Sequence, residues 1–214
     1  MSTHKSATEK NLTKYLFDFR GDNFATLLTQ EPLVNLEHLT NGSSAVLFKS
    51  SKGVIRVSTD SSTHTFIAAG QDYGLSIPKC FVDYGPVSLS DASHDDSYFW
   101  MGEFERMSLI PEGSLEAQVV TIIIEGLSDG EIIFHPQICY YREKLQSLES
   151  NTLITKKLFD TLVAVFDFAE LIEADIDLSD DDFMLRNTTG EIVIVDPLHG
   201  GRHLEKLYPA IREL

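Results

Sequence analysis

Leu153 to Ala174 is the longest periodic segment of the chain, with Leu158, Leu162, Val165, Phe166, Ala169 and Ile172 recurring at three- and four-residue intervals. That spacing lays one apolar stripe along a helix, and a stripe of this length must be buried against other elements. The next segment narrows the fold further. An acidic stretch from Asp175 to Asp182 leads into two short apolar runs, around Phe183–Leu185 and Ile192–Val195, with Asn187 to Gly190 between them. Two such runs across an Asn/Thr/Gly turn read as a β-hairpin. The chain therefore mixes helix and sheet.

Upstream the period is shorter. Leu33–Thr40, Ala45–Lys49 and Val54–Ser58 read as strands, broken at Asn41-Gly42 and Lys52-Gly53. Ser61–Gln71 reads as a helix that Gly74 ends, and Pro78 precedes a further strand, Lys79–Asp83. A polar loop over 88–97 leads into Tyr98–Met107, a strand with an aromatic face whose Trp100, Phe99 and Phe104 suit a core. Before the strands, residues 1–10 read as a polar tail, followed by two short helices, Asn11–Asp18 and Asn23–Gln30. After Pro111 the pattern is helical, over Leu115–Leu127, Ile138–Leu148 and the stripe above, and a short helix, Leu204–Leu214, closes the chain. Strands first, then helices, then a late hairpin make an α+β arrangement without internal repeats.

A chain of 214 residues that is 43% hydrophobic can bury a sizeable core, as one domain or as two small lobes. Two cysteines, Cys80 and Cys139, suit a reduced compartment and make no metal-ligand spacing. No apolar run reaches the roughly 18–20 residues of a membrane span, and the polar N-terminus lacks a signal core, so the expected location is cytosolic. Seventeen basic against 33 acidic residues give a net charge of −16. Such a surface repels nucleic acid and anionic membranes; it serves solubility, and it favours partners with basic patches.

The chemistry is concentrated late in the chain. Kinase-like phosphotransferases use one aspartate to accept the proton of the acceptor hydroxyl. The residue five positions on, and an aspartate after the next strand, hold Mg²⁺ on the nucleotide phosphates. Asp177, Asp182 and Asp196 stand in that order. Asp175, Asp177, Asp180, Asp181 and Asp182 crowd eight residues, which is either a solvated acidic loop or a divalent-ion site, since unneutralised carboxylates so close repel one another. An EF-hand is excluded, because Asp180 and Arg186 stand where that loop needs glycine and glutamate. His199 and His203 lack a third zinc ligand, and no Gly-x-Ser-x-Gly elbow is present. Upstream, the turn Asn41-Gly42-Ser43-Ser44 is either an ordinary hairpin turn or a cradle of N–H groups for a phosphate. Arg56, one cation in an apolar strand, is either solvent-facing or a phosphate clamp in the place where kinases carry lysine.

Taken in order, Asn41-Gly-Ser-Ser-Ala, Val54-Ile-Arg-Val, Gly74-Leu-Ser-Ile-Pro-Lys, Asp177 to Met184 and Val195-Asp196-Pro197 resemble the early serine/threonine protein kinase of lytic coliphages of the T-seven group, over roughly residues 33–200. The resemblance implies a minimal protein-kinase-like, two-lobed α+β fold: an N-lobe over 11–107 with an antiparallel sheet, and a mainly helical C-lobe over 108–214. It implies ATP and Mg²⁺ as cofactors, with Asp177 as the catalytic base and Asp182 and Asp196 as metal ligands. Asn41, Gly42, Ser43, Ser44 and Arg56 are then the phosphate-binding residues. The lobe connection, Glu103 to Met107, lies beside the adenine, with Glu105 and Met107 as nucleotide-binding residues. Its implied targets are host transcription and RNA-processing proteins, RNA polymerase among them, in the cytoplasm of an infected cell. Larger members add a transcription shut-off segment, and this chain ends soon after Asp196.

Four departures stand against that pattern. Asp182 replaces the family's Asn, and Arg56 replaces its Lys. No Glu lies on the helix 61–71 to pair with the cation, which Asp60 and Asp72 merely flank, and the catalytic loop lacks the usual His and Gly. Losing a phosphate clamp costs about 2–4 kcal/mol of transition-state stabilisation. The alternative expectation is an acidic pseudokinase that binds and blocks a basic host protein.

Overall fold

A computed structural model describes residues 9–91, 97–202 and 204–212. Most of the polar tail, the centre of the 88–97 loop, His203 and the last two residues of the closing helix lie outside them. The chain forms two compact units, one of residues up to Asp60 with Phe81–Phe104, the other of Ser61–Cys80 with everything from Glu105 onward. This departs from the division expected at residue 107, because the helix after the third strand groups with the C-terminal unit.

In the first unit, β1 (His38–Asn41), β2 (Ala45–Lys49), β3 (Val54–Ser58), β4 (Cys80–Leu89) and β5 (Tyr98–Phe104) form an antiparallel sheet in the order β1-β2-β3-β5-β4. Register puts Val46 opposite Val57, Phe48 opposite Ile55 and Val57 opposite Met101, so one face of the sheet is apolar. Packed in the same core are Leu12 and Phe19 from two short 3-10 turns, Tyr15 between those turns, and Phe24 and Leu27 from α1 (Asp22–Leu27). Edge-on ring pairs, Tyr15–Phe24 and Phe19–Phe24 at 5.1 and 5.0 Å, add about 0.5–1.5 kcal/mol each beyond the area they bury. Asp91 fixes α1 by accepting the N–H groups of Asn23 and Phe24 at 3.0 and 2.9 Å. Residues 11–18 make 3-10 turns rather than the expected α-helix, and Leu33–Leu36 is a turn rather than strand.

The second unit is mainly helical: α2 (Ser62–Gly70), α3 (Leu115–Leu127), α4 (Ile138–Leu148), α5 (Lys156–Ile172) and α6 (Leu204–Arg212). Thr155 caps α5 by accepting the Leu158 N–H at 3.2 Å, and Glu173 ends it in the left-handed region at φ 54°. Its predicted stripe is buried throughout, and each large apolar member contributes about 1.5–3 kcal/mol. Short strands complete the unit: β6 (Met107–Ser108), β8 (Phe183–Arg186) and β9 (Ile192–Ile194) in one sheet, β7 (Asp175–Ile176) and β10 (Leu198–His199) in another. This is the α+β arrangement expected, with the antiparallel sheet N-terminal and most helices C-terminal. No helix among the described residues is long and apolar enough to cross a membrane.

Candidate active site

Backbone pairing brings the three key aspartates into one frame. Ile176 of β7 pairs with Leu198 of β10 on one side and with Ile133 on the other. The next residue, Asp177, donates its N–H to the Pro197 carbonyl at 3.0 Å, while Val195 donates to the Asp182 carbonyl at 2.8 Å. Asp196 thus lies between two residues bonded to the backbones of Asp177 and Asp182. Leu198 is locked from α2 as well: the Thr63 hydroxyl donates to its carbonyl at 3.0 Å and accepts from its N–H at 3.3 Å. On the hairpin side, Ile194 donates to the Ser76 carbonyl at 2.9 Å.

Asp182 closes the single turn Asp180–Asp182, where its Oδ2 accepts both the N–H and the hydroxyl of Ser179, each at 2.7 Å. This is a capping box written within four residues. Burial pushes the Asp182 carboxyl up to about 7, and the charges of Asp196 and Asp177 raise it too, while the Ser179 bonds pull it down. Three carboxylates therefore share one field, and Asp182 gives up its proton reluctantly.

That donor set fits Mg²⁺, which takes hard oxygen ligands and needs only one or two carboxylates when phosphates and water supply the rest. Asp182 and Asp196 would hold it. Among the described residues no three His, Cys, Asp or Glu side chains close around an ion by themselves. The five crowded aspartates do not act as one group, which corrects the reading of the whole stretch as a divalent-ion site. Asp175 accepts the His135 N–H at 2.7 Å, and Asp180 and Asp181 are exposed.

The remaining predicted residues are spread over both units. Arg56 is 8% exposed, on the sheet face opposite the apolar core, with Leu47 and Gly102 as its register partners. The solvent-facing alternative is thereby overturned. At the end of β1, the Asn41 amide donates to the Lys14 carbonyl at 2.8 Å, and its oxygen meets His38 at 2.9 Å. The Gly42 N–H is spent on the Ala45 carbonyl at 2.8 Å. Ser43 is exposed and Ser44 half-buried; the Ser44 carbonyl accepts the Ser58 hydroxyl and the Thr59 N–H, both at 3.0 Å. In the second unit, Glu105 donates its N–H to Lys79 at 2.9 Å, and its carboxylate meets Arg186. Met107 pairs with Arg186 in the β6–β8 ladder.

Sequence reasoning missed Arg186, Glu191 and Ser179. Arg186 binds Glu105, Glu191 and the Ile77 carbonyl, while Glu191 also takes Lys157 and Ser76, each at 2.6 Å. The clamp joins the segment before β4, the exit of β5 and the hairpin bearing Asp182 and Asp196. Ser179 alone had a readable signal, its spacing of three from an acidic residue. Elsewhere, an apolar cavity of about 420 Å³ lined by Phe66, Tyr73, Phe168 and Leu171 holds one carboxylate, Asp167, which pairs with Arg142.

No protein-family model and no curated protein matches the chain. Among solved structures, the GDP and kanamycin complex of APH(2")-IIia, an aminoglycoside phosphotransferase, is similar at 14% identity and a TM-score of 0.33. The match covers 87% of this chain and 81% of that one. What the chain can do is therefore read from its own residues.

Proposed function

We propose that this chain is a kinase-like phosphotransferase that moves the γ-phosphoryl group of ATP to a hydroxyl. The observation that carries the reading is the backbone frame that sets Asp177, Asp182 and Asp196 together. Asp177 orients the acceptor hydroxyl and takes its proton as the oxygen bonds to phosphorus and ADP leaves. Asp182 and Asp196 would hold Mg²⁺, which would supply positive charge against that of the phosphates. The resemblance also assigns phosphate binding to Arg56, Ser43 and Ser44, which lie in the N-terminal unit. The finer reading is a serine/threonine protein kinase acting on host proteins with basic patches. The order of motifs along the chain and the net charge of −16 support it. A second reading, an acidic pseudokinase, draws on two observations: Arg56 in the lysine position, and the Gly42 N–H already spent.

Thermal unfolding with and without Mg²⁺–ATP tests this. A ligand at a hundred times its Kd adds about 2.7 kcal/mol, and a chain of this size gains roughly 2–4 °C per kcal/mol. The expected result is a rise of several degrees that is lost in Asp196→Ala, followed by γ-phosphate transfer that is lost in Asp177→Ala. No rise at millimolar ATP refutes the enzyme and leaves the pseudokinase.

A further inference from the structure

We infer that Thr63 of α2 is a positioning residue for the metal site, holding Asp196 where its carboxylate can ligate Mg²⁺. The inference rests on the phosphotransferase reading above and adds to it a residue that acts only through Leu198. Val195, Asp196 and Pro197 lie between β9 and β10, outside either strand, so Asp196 stands where the chain on each side of it is held. Two residues before it, Ile194 donates to the Ser76 carbonyl at 2.9 Å, and Ser76 gives its own N–H to the Thr161 hydroxyl of α5 at 2.8 Å. Ile194 is also paired with Phe183 in the β8–β9 ladder, and the Ser76 hydroxyl donates to Glu191 at 2.6 Å, so this side is held several times over. Two residues after Asp196 the only ladder is the short pairing of β10 with β7. There the Leu198 carbonyl and N–H both end on the Thr63 hydroxyl, at 3.0 and 3.3 Å.

A hydroxyl is the group that can do this, since one oxygen both donates and accepts. Thr63 and Leu198 are buried, and a buried backbone N–H and carbonyl stripped of their partner must move to find another. The next residues are tied to the same helical turn: the Gly201 N–H donates to the Ser62 hydroxyl at 2.8 Å, an approach so close that a Cβ at 201 would lie 2.8 Å from that oxygen. The helix providing these ties is itself fixed, by Phe66 against Phe168 of α5 and His64 against Tyr208 of α6, with ring centres 5.5 and 6.3 Å apart. It carries no acidic residue, so its hold on the site runs through hydroxyls rather than through an ion pair. Groups that orient a metal ligand without touching the metal typically carry about 10–100-fold in affinity.

The test compares the parent with Thr63→Val, which keeps the shape and removes both bonds, and with Thr63→Ser, which keeps the hydroxyl. Thr65→Val is the control. Thr65 is equally buried on the same helix, but its hydroxyl donates only within the first turn, to the Ser61 and Ser62 carbonyls at 2.9 and 3.0 Å. For each protein the rise in unfolding temperature at saturating ATP is titrated with Mg²⁺, and hydrogen exchange at the Leu198 N–H is followed without metal. Thr63→Val should raise the half-saturating Mg²⁺ concentration about tenfold and speed exchange at Leu198, while Thr63→Ser and Thr65→Val stay close to the parent. A half-saturation that Thr63→Val leaves unchanged, an equal increase in Thr65→Val, or no rescue by Thr63→Ser overturns the inference alone. Should Thr63→Val not fold, Thr63→Ala, which sets no added methyl against the Leu198 backbone, is judged by the same results. A parent without an Asp196-dependent Mg²⁺–ATP rise overturns the phosphotransferase reading, and the inference with it.

Discussion

Arg186→Met should destabilise the protein by about 3 kcal/mol, although the residue touches none of the proposed chemistry. Its side chain is 16% exposed and that of its partner Glu105 is 17% exposed, so this pair has been largely taken out of water. Removing one member of a buried pair costs about 3–5 kcal/mol, because the other charge stays behind. Two details bring the value to the lower end, and one keeps it from falling further. Glu191 keeps Lys157 and Ser76 at 2.6 Å each, so it loses little. Glu105 keeps only the Lys79 N–H, at 3.3 Å, and the Ile77 carbonyl loses a donor at 2.9 Å. Methionine fills most of the aliphatic stem, so the cavity term is small. Urea unfolding should show a lower midpoint at unchanged m. In the double variant with Glu105→Gln, the loss should fall short of the sum of the two singles by about 1–2 kcal/mol. A loss under about 1 kcal/mol, or strict additivity, would refute the claim that the guanidinium holds these segments together.

Asp182 carries a pH signature of opposite sign to that of an ordinary salt-bridged carboxylate. It titrates near 7 in the folded chain against 3.8 as its ordinary value, so its contribution is whole below about pH 4 and is lost as pH rises through 7. At 1.36 kcal/mol per pH unit the whole effect is roughly 4 kcal/mol. Asp182→Asn should flatten the unfolding free energy over that window, and equal slopes in parent and variant would count against the assignment. In the first unit, Asp91→Ala should cost about 1–2 kcal/mol through loss of the α1 cap. Gly21→Ala should be tolerated better in that background, because its Cβ would otherwise lie 2.2 Å from the Asp91 Cγ; additive denaturation midpoints would argue otherwise.

Elements whose pattern is local were legible in the sequence. Ala45–Lys49, Val54–Ser58, Leu115–Leu127 and Ile138–Leu148 fall where period and turn residues put them. Leu33–Leu36 misled because its leucines pack through a turn, with Asn35 in the left-handed region at φ 63°. β4 was cut short because Gly85-Pro86 reads as a stop. It ends the sheet order, and an edge strand tolerates a proline that donates no hydrogen bond. Arg186 and Glu105 are 81 residues apart, and Ser76 and Glu191 are 115 apart, so no window of sequence contains that clamp.

The site was legible for the opposite reason. Asp177, Ser179 and Asp182 lie on one short loop, and only a hairpin separates them from Asp196. Asp182 also behaves unlike an amide in the same place. Burial makes its carboxyl hold a proton more readily than an ordinary aspartate, and in that state it is a neutral oxygen acceptor for Ser179, as an asparagine would be. A cation held with Asp196 would take the ionised form instead and offset the repulsion from Asp196 and Asp177. A carboxylate at 182 would therefore couple local stability to a bound cation in a way that asparagine cannot. Millimolar Mg²⁺ with nucleotide should raise the unfolding temperature of the parent more at pH 8 than at pH 6, and Asp182→Asn should remove that difference while keeping the fold.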